Sequence, residues 1–360
     1  MKKLSIYLGK SYIFNFIWAA IFLTALFSLF ELSEQLENVG RGDYDYVQAV
    51  YYVFLTMPNK CVELSPFAAF LGAVVSVGIK SGNRELLALQ ACGISWSRIC
   101  SILILSAFLL AFFLIVFSEV WASSWSQKAY KIRSTHISEE DIFLWGKGFW
   151  AQKGYTFLHV GSVQSKSLYK DVYIYSFNQK GRLETLVYAQ KALLQRNNKW
   201  KMSEVTQKEY SREKISKEQY KDMVWKSFLD PAQRKLLQMP AHFLSYLQLY
   251  RIVNASNSTN RDIDKYQLVF WQKVVTPLAI LGLTVLALPL FVCKINVQRP
   301  VGLSLLLGVI LGGLFYLLLK LLGYLSLVCS VHPALMLLLP VLFILLVSLV
   351  LLYRKCGKFI

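Results

Sequence analysis

The sequence predicts an α-helical membrane protein of six transmembrane helices, with an all-β jelly-roll domain inserted between the third and the fourth. Six apolar runs, each near the ~20 residues a helix needs to cross a bilayer, fall into two groups of three. Between the groups lies a polar middle, Ser123 to Lys265, with strand-like alternation. The mean hydropathy of +0.43, with 55% hydrophobic residues, is too high for an ordinary soluble domain.

The first run, Tyr12–Phe30, follows Lys2, Lys3 and Lys10 and ends at Glu31, Glu34 and Glu37. It is too long for the apolar part of a signal peptide, and no small-x-small cleavage site follows. It is therefore expected to stay as a membrane helix. Gly40 and Gly42 mark Asn38–Asp45 as a loop. Tyr46–Met57 is apolar but short, and Pro58 is expected to stop it, giving an interfacial helix ahead of the second run, Val62–Ile79. A polar segment, Lys80–Arg98, leads to the third run, Ile99–Trp121. Beyond the middle come Tyr266–Cys293, where Pro277 and Pro289 predict kinks, then Val301–Val328 and Pro333–Tyr353. The domains expected are 1–122, 123–265 and 266–360.

Six spans put both termini on one side. That side collects Lys2, Lys3, Lys10, Lys80, Arg84, Arg98, Lys294, Arg299, Arg354, Lys355 and Lys358. The short loops of the other side hold only Arg41 and Lys60, with Glu31, Glu34, Glu37, Asp43 and Asp45. Lys and Arg in short loops stay in the cytoplasm, so both termini are expected there and the polar middle on the far face.

Within the middle, Gly148–Gln152, Tyr155–Val163, Asp171–Phe177, Leu183–Leu194, Lys199–Val205 and Asp222–Phe228 read as strands. Gly154, Gly161, Asn178–Gly181 and Asn197–Asn198 supply turns. Short strands at this spacing suggest a sandwich or jelly roll. Helices are expected over Ser126–Thr135 and Ala241–Val253. The middle holds 24 Lys/Arg against 13 Asp/Glu, so +11 of the chain's +18 lies there. Such a charge would suit nucleic acid, but beside six apolar runs it points to anionic lipid instead.

Several chemistries find no support. Gly9-Lys10-Ser11 resembles the end of a phosphate-binding loop, but the earlier glycine falls on Leu4 and no strand precedes it. No Walker motif means that any ATP hydrolysis belongs to a partner. The six cysteines match no zinc or redox spacing, and none lies in the middle. His136, His159, His242 and His332 are scattered, so no catalytic, cofactor or metal site is expected.

Two features point to function. Between the second and third runs, Asn83 reads as an N-cap, Glu85 as a first-turn acid and Gly93 as a C-terminal stop. A short helix there, with Leu86, Leu87 and Leu89 on a solvated connection, favours a docking element over a plain connector. The second feature is charge in or beside the spans. Lys320 lies well inside the fifth run, where a cation faces a cavity or snorkels to the interface. Glu119, Lys131 and Arg133 cluster where the third span ends, as rim charges or as contacts for an anionic headgroup.

The stretches Gly40-Arg41-Gly42-Asp43-Tyr44-Asp45, Glu85 through Gly93, Gly148-Phe149-Trp150-Ala151-Gln152 and Tyr266-Gln267-Leu268 through Pro277-Leu278 resemble, in order and spacing, the LptF/LptG permeases of lipopolysaccharide export. The Gly-x-Tyr-Asp loop and the Trp-Ala-x-x-Gly strand are similar to the LptG side of the pair. The resemblance covers nearly the whole chain. It implies a bacterial inner-membrane permease that works with an LptF-type sister permease, an LptB-type ATPase dimer and an LptC-type bitopic bridge protein. It further implies that lipopolysaccharide enters between lateral gates formed by spans one and five and passes to periplasmic β domains stacked edge to edge. The ATPase would dock on Asn83, Arg84, Glu85, Leu86, Leu87, Leu89, Gln90 and Gly93. Family members carry lysines at the outer end of span one; here that stretch reads Glu31, Glu34, Glu37, Asn38. Arg41, Lys131, Arg133 and Lys320 replace those lysines, or the cargo's headgroup differs, or a divalent cation bridges acid to phosphate. The competing reading is a non-transporting scaffold or sensor with a β domain, which would need no ATPase dock.

Overall fold

The computed structural model describes residues 2–40, 43–136, 149–163, 168–178, 182–195, 199–210, 215–226, 239–255, 261–292, 301–329 and 331–356. They form two compact units: Met1–Glu34, Val53–Ser126 and Leu268–Ile360 make one, and Gln35–Tyr52 with Gln127–Gln267 the other.

The helices are α1 Lys2–Leu36, α2 Tyr46–Gly82, α3 Glu85–Ala91, α4 Trp96–Phe117, α5 Ser123–His136, α6 Tyr246–Ala255, α7 Arg261–Val292, α8 Val301–Val328 and α9 Pro333–Cys356. Among the described residues, six helical stretches are long and apolar enough to cross a membrane: Lys3–Leu36, Tyr46–Gly82, Trp96–Ser134, Asp264–Pro289, Leu306–Val328 and Pro333–Arg354. The chain is a helical membrane protein with a β domain between its third and fourth spans.

The expected break at Pro58 does not occur, because α2 runs unbroken through Pro58 and Pro66. Each proline removes one backbone hydrogen bond, and a long helix survives when its freed carbonyl finds another donor and its face is packed. Pro66 frees the Val62 carbonyl, and the Ser65 hydroxyl donates to it at 2.7 Å. The next turns are deeply packed, with Ala68, Ala69, Phe70 and Ala73 fully buried.

Close helix approach explains that burial. A Cβ at Gly72 would lie 2.8 Å from the backbone N and Cα of Phe16, so only glycine lets α1 lie this close to α2. One turn on, Ser11 and Ser76 share a hydrogen bond of 3.1 Å. The buried Tyr12 hydroxyl joins α1 to Thr284 of α7 at 3.1 Å. Thr284 gives its only proton to the Ile280 carbonyl at 2.7 Å, so Tyr12 is the donor. The third span is continuous from α4 into α5 through a π turn at Ser118–Ala122, which the Ser123 hydroxyl caps on the Ser118 carbonyl at 3.0 Å.

The inserted domain carries β1 Phe149–Lys153, β2 Thr156–Val163, β3 Leu168–Phe177, β4 Leu183–Leu194, β5 Lys199–Tyr210 and β6 Ile215–Lys226. They form one six-stranded sheet in chain order, every neighbouring pair antiparallel. The connectivity is a meander, in place of the crossing connections of a Greek key. Tight turns favour it: Gly154 sits at φ +60° after β1, and after β3 the Asn178 amide N–H donates to the Arg182 carbonyl at 2.9 Å.

A sandwich-like core arises because the sheet is creased. Asp171 on β3 and Glu204 on β5 have positive φ, 53° and 57°, on the same transverse line. Across that line the buried positions change parity, from Val172 and Ile174 to Tyr169 on β3, and from Val205 to Met202 and Trp200 on β5. The turn of the backbone keeps both halves facing one core, where Tyr169 stacks on Trp200 with ring centroids 4.6 Å apart. Gly161, expected in a turn, lies in β2 beside this crease. A Cβ there would stand 2.8 Å from the Asp171 Cβ. The helix expected over Ala241–Val253 is a 3-10 turn at Ala241–Phe243 followed by α6, whose first turn is set by Gln248 accepting the Ser245 N–H at 2.9 Å. Gly148, 179–181, 197–198 and 227–228 lie outside the described residues.

Candidate functional site

Charge inside an apolar span is costly and needs a partner. In α2, Lys60 and Glu63 lie one turn apart; in α8, Tyr316 and Lys320 do the same. These pairs meet. The Lys320 ammonium bonds Glu63 Oε1, the Tyr316 hydroxyl donates to the same oxygen at 3.4 Å, and Lys60 stands 4.0 Å from Glu63 Oε2. Lys320 also lies over the Tyr316 ring, 5.7 Å from its centroid. Glu31 of α1 joins the set electrostatically, within the field of Lys60, Glu34 and Glu63. Its Oε2 is shielded and holds no hydrogen bond. Sequence reasoning singled out Lys320 and Glu31 but missed Glu63. The signal was the i, i+3 pair Lys60/Glu63 between two prolines, hidden once Pro58 was read as a helix end.

Lys320 is paired to Glu63 of α2 and keeps about a third of its side chain exposed. Glu31 and Glu63 stand against Lys60 and Lys320 here, with the exposed Glu34 at the edge of the set.

The α2–α4 connection is the second place of interest. Arg84, not Asn83, takes the N-cap position of α3, with φ 58° and no side-chain cap. Asn83 is exposed and donates instead to Glu85 Oε1 at 3.4 Å. Gly93, at φ +80°, ends the helix: its N–H bonds the Gln90 carbonyl and the Ile94 N–H bonds the Leu89 carbonyl, the pattern a left-handed residue after a helix produces. Leu86 is not on the surface. It is 4% exposed, in the same core as Trp96, and Leu89 packs against that core. Gln90 is half-buried. The exposed face is Arg84, Leu87, Ala88 and Ala91, at helical spacing. Glu85 is held from behind: Tyr7 of α1 donates to its Oε2 at 2.9 Å, and the Lys80 ammonium stands 3.9 Å from the same oxygen.

The remaining expected residues are dispersed. Glu34 is on the exposed side of α1. Lys131 is exposed on α5, whereas the Arg133 guanidinium lies over the Tyr52 ring at 5.4 Å. Arg133 also acts on Tyr44, whose phenol burial pushes above its ordinary range while the guanidinium pulls it back. Arg41 lies outside the described residues. A further intramembrane cation, Lys273 of α7, went unremarked in the sequence although it sits in an apolar run. It reaches the Ser123 hydroxyl of the π turn at 3.5 Å, and Glu119 supplies the nearby negative charge.

Fold and charges together define a multi-pass membrane protein that houses paired ions within its spans and carries an inserted β domain. Residues 6–354 match the family described as lipopolysaccharide export system permease LptF/LptG, and the chain belongs to that family. The lipopolysaccharide export system permease protein LptG of Escherichia coli (strain K12) is 28% identical over 351 residues, 97% of each chain. The LptG protein of Haemophilus influenzae is 28% identical over 326 residues, 90% of this chain and 91% of that one.

Proposed function

We propose that this chain is the permease subunit of an inner-membrane transporter that lifts lipopolysaccharide, the cargo named for its relatives, out of the bilayer and passes it to a periplasmic bridge. ATP is hydrolysed by a separate LptB-type dimer. An LptF-type sister permease completes the pore, and an LptC-type bridge protein receives the lipid. Both termini and α3 are cytoplasmic and the β domain is periplasmic, with boundaries near 122 and 265.

The exposed face of α3 carries this reading. A chain without a nucleotide motif presents a short helix whose outward side is Leu87 flanked by Ala88, Ala91 and Arg84, small enough for a partner to close upon. Lys320, Arg133, Lys131, Arg41, Glu31 and Glu34 are the proposed headgroup contacts. Affinity purification of the tagged chain should bring down a sister six-span permease and an ATPase, and Leu87→Asp or Glu85→Arg should release the ATPase alone. Lys320→Glu should lower lipid crosslinking. Purification without any ATPase would favour a scaffold or sensor.

A further inference from the structure

Three helices converge on one carboxylate. Glu85 opens α3, Lys80 lies in the last turn of α2, and Tyr7 sits near the start of α1. An acid at a helix start and a cation at a helix end each complement the backbone dipole, so both are favoured where they are. Tyr7 touches both. Its hydroxyl donates to Glu85 Oε2 at 2.9 Å, and its ring lies under the Lys80 ammonium, 4.1 Å from the centroid. Lys80 is only 6% exposed, so its charge is committed to this joint. Asn83 orients the other oxygen of Glu85 at 3.4 Å.

We propose that Tyr7 is a positioning residue that couples the ATPase dock to span one. The inference rests on the docking reading above. A partner that moves α3 moves Glu85, and the Glu85 carboxylate moves Tyr7 through a direct hydrogen bond. α1 is one continuous helix of 35 residues, so Tyr7 is rigidly joined to Glu31, roughly 36 Å along the axis at about 1.5 Å per residue. Glu31 borders the Glu63–Lys320 group. Displacement at the dock thus reaches the intramembrane charges along a single rigid element. Lys80 keeps the joint from drifting, since releasing Glu85 would strand a buried cation.

The test uses the full complex in proteoliposomes containing lipopolysaccharide, and reads lipid extracted per ATP hydrolysed together with the amount of ATPase co-purified. Tyr7→Phe keeps the ring under Lys80 and removes only the hydroxyl. It should retain the ATPase at wild-type level while the ratio of lipid to ATP falls about fivefold, the factor that one hydrogen bond's net contribution corresponds to. Tyr7→Leu, which also loses the ring, should lower the ratio further. A wild-type ratio in Tyr7→Phe overturns the proposal. Loss of the ATPase from that variant also overturns it, because Tyr7 would then only build the dock. If the wild-type chain brings down no ATPase, the docking reading itself falls before any variant is made.

Discussion

Replacing Glu63 should weaken the protein and strengthen its hold on lipid. The carboxylate holds Lys320, with Tyr316 on the same oxygen and Lys60 on the other. Glu63→Gln keeps the shape and removes the charge, leaving Lys320 without its counter-ion in an apolar span. Exposed ion pairs are worth about 0.2–1 kcal/mol, and breaking a buried one costs about 3–5 kcal/mol. The two side chains are 32% and 31% exposed, which places this pair between those limits, at about 2 kcal/mol. Lys320→Met should cost a similar amount, since it strands Glu63. The double variant should cost less than the sum, with a coupling of about 1–3 kcal/mol. Denaturant titration of the four purified proteins, followed by tryptophan fluorescence, reads these values. In parallel, photo-crosslinking of lipopolysaccharide beside position 320 should rise in Glu63→Gln, because the ammonium is released to an anionic headgroup, and fall in Lys320→Met. Additive single costs in the double variant would falsify the pairing. Crosslinking that drops equally in both variants would show that the intact pair, not the freed lysine, holds the lipid.

Other perturbations separate packing from function. Gly72→Ala drives a Cβ into the backbone of Phe16, which cannot yield as a side chain would, so stability should fall by about 1–3 kcal/mol in the same titration. Leu86→Ala empties a buried site and should cost about 2–4 kcal/mol, whereas Leu87→Ala should leave stability near wild type and weaken ATPase recovery. Equal effects of the two leucines would contradict the assignment of faces. In the β domain the Tyr188 hydroxyl donates to Asp171 at 2.9 Å, and this bond, ahead of burial, pushes the phenol up to about 12. Its folded value exceeds its unfolded one, so its contribution is complete below the ordinary 10.0 and is lost as pH rises through about 12. Tyrosinate absorbance should show this late step, and Asp171→Asn, which tolerates the same left-handed backbone, should move it back toward 10.0.

The spans were legible because a bilayer allows few solutions: an apolar run of sufficient length must be a helix that satisfies its own backbone. The strands were legible from alternation, and the ends of β4 coincide with those read in the sequence. What escaped was set by tertiary contact. The crease at Asp171 and Glu204 leaves a weak mark at best: Asp visits left-handed backbone more readily than most residues, but Glu does not, and both sit inside otherwise regular strand alternation. Pro58 was a sound stop signal by local rules, overridden by packing along α2. The face of α3 was within reach of sequence reasoning. Helical spacing alone separates Leu86 and Leu89 from Leu87, and treating the three as one apolar set obscured it.

The acids at the end of span one, where the resemblance leads one to expect lysines, do not stand alone in the structure. Glu31 is not an isolated charge facing an anionic cargo. It stands within the field of Lys60, while Glu63 on the same helix as Lys60 holds Lys320. Two acids and two lysines on three spans offset one another's burial, which a lone carboxylate in a span could not achieve. An anionic headgroup drawn to Lys320 would compete with Glu63 for the ammonium, and because Glu63 stays on α2 the group would then carry excess negative charge unless a proton or a further cation came with it.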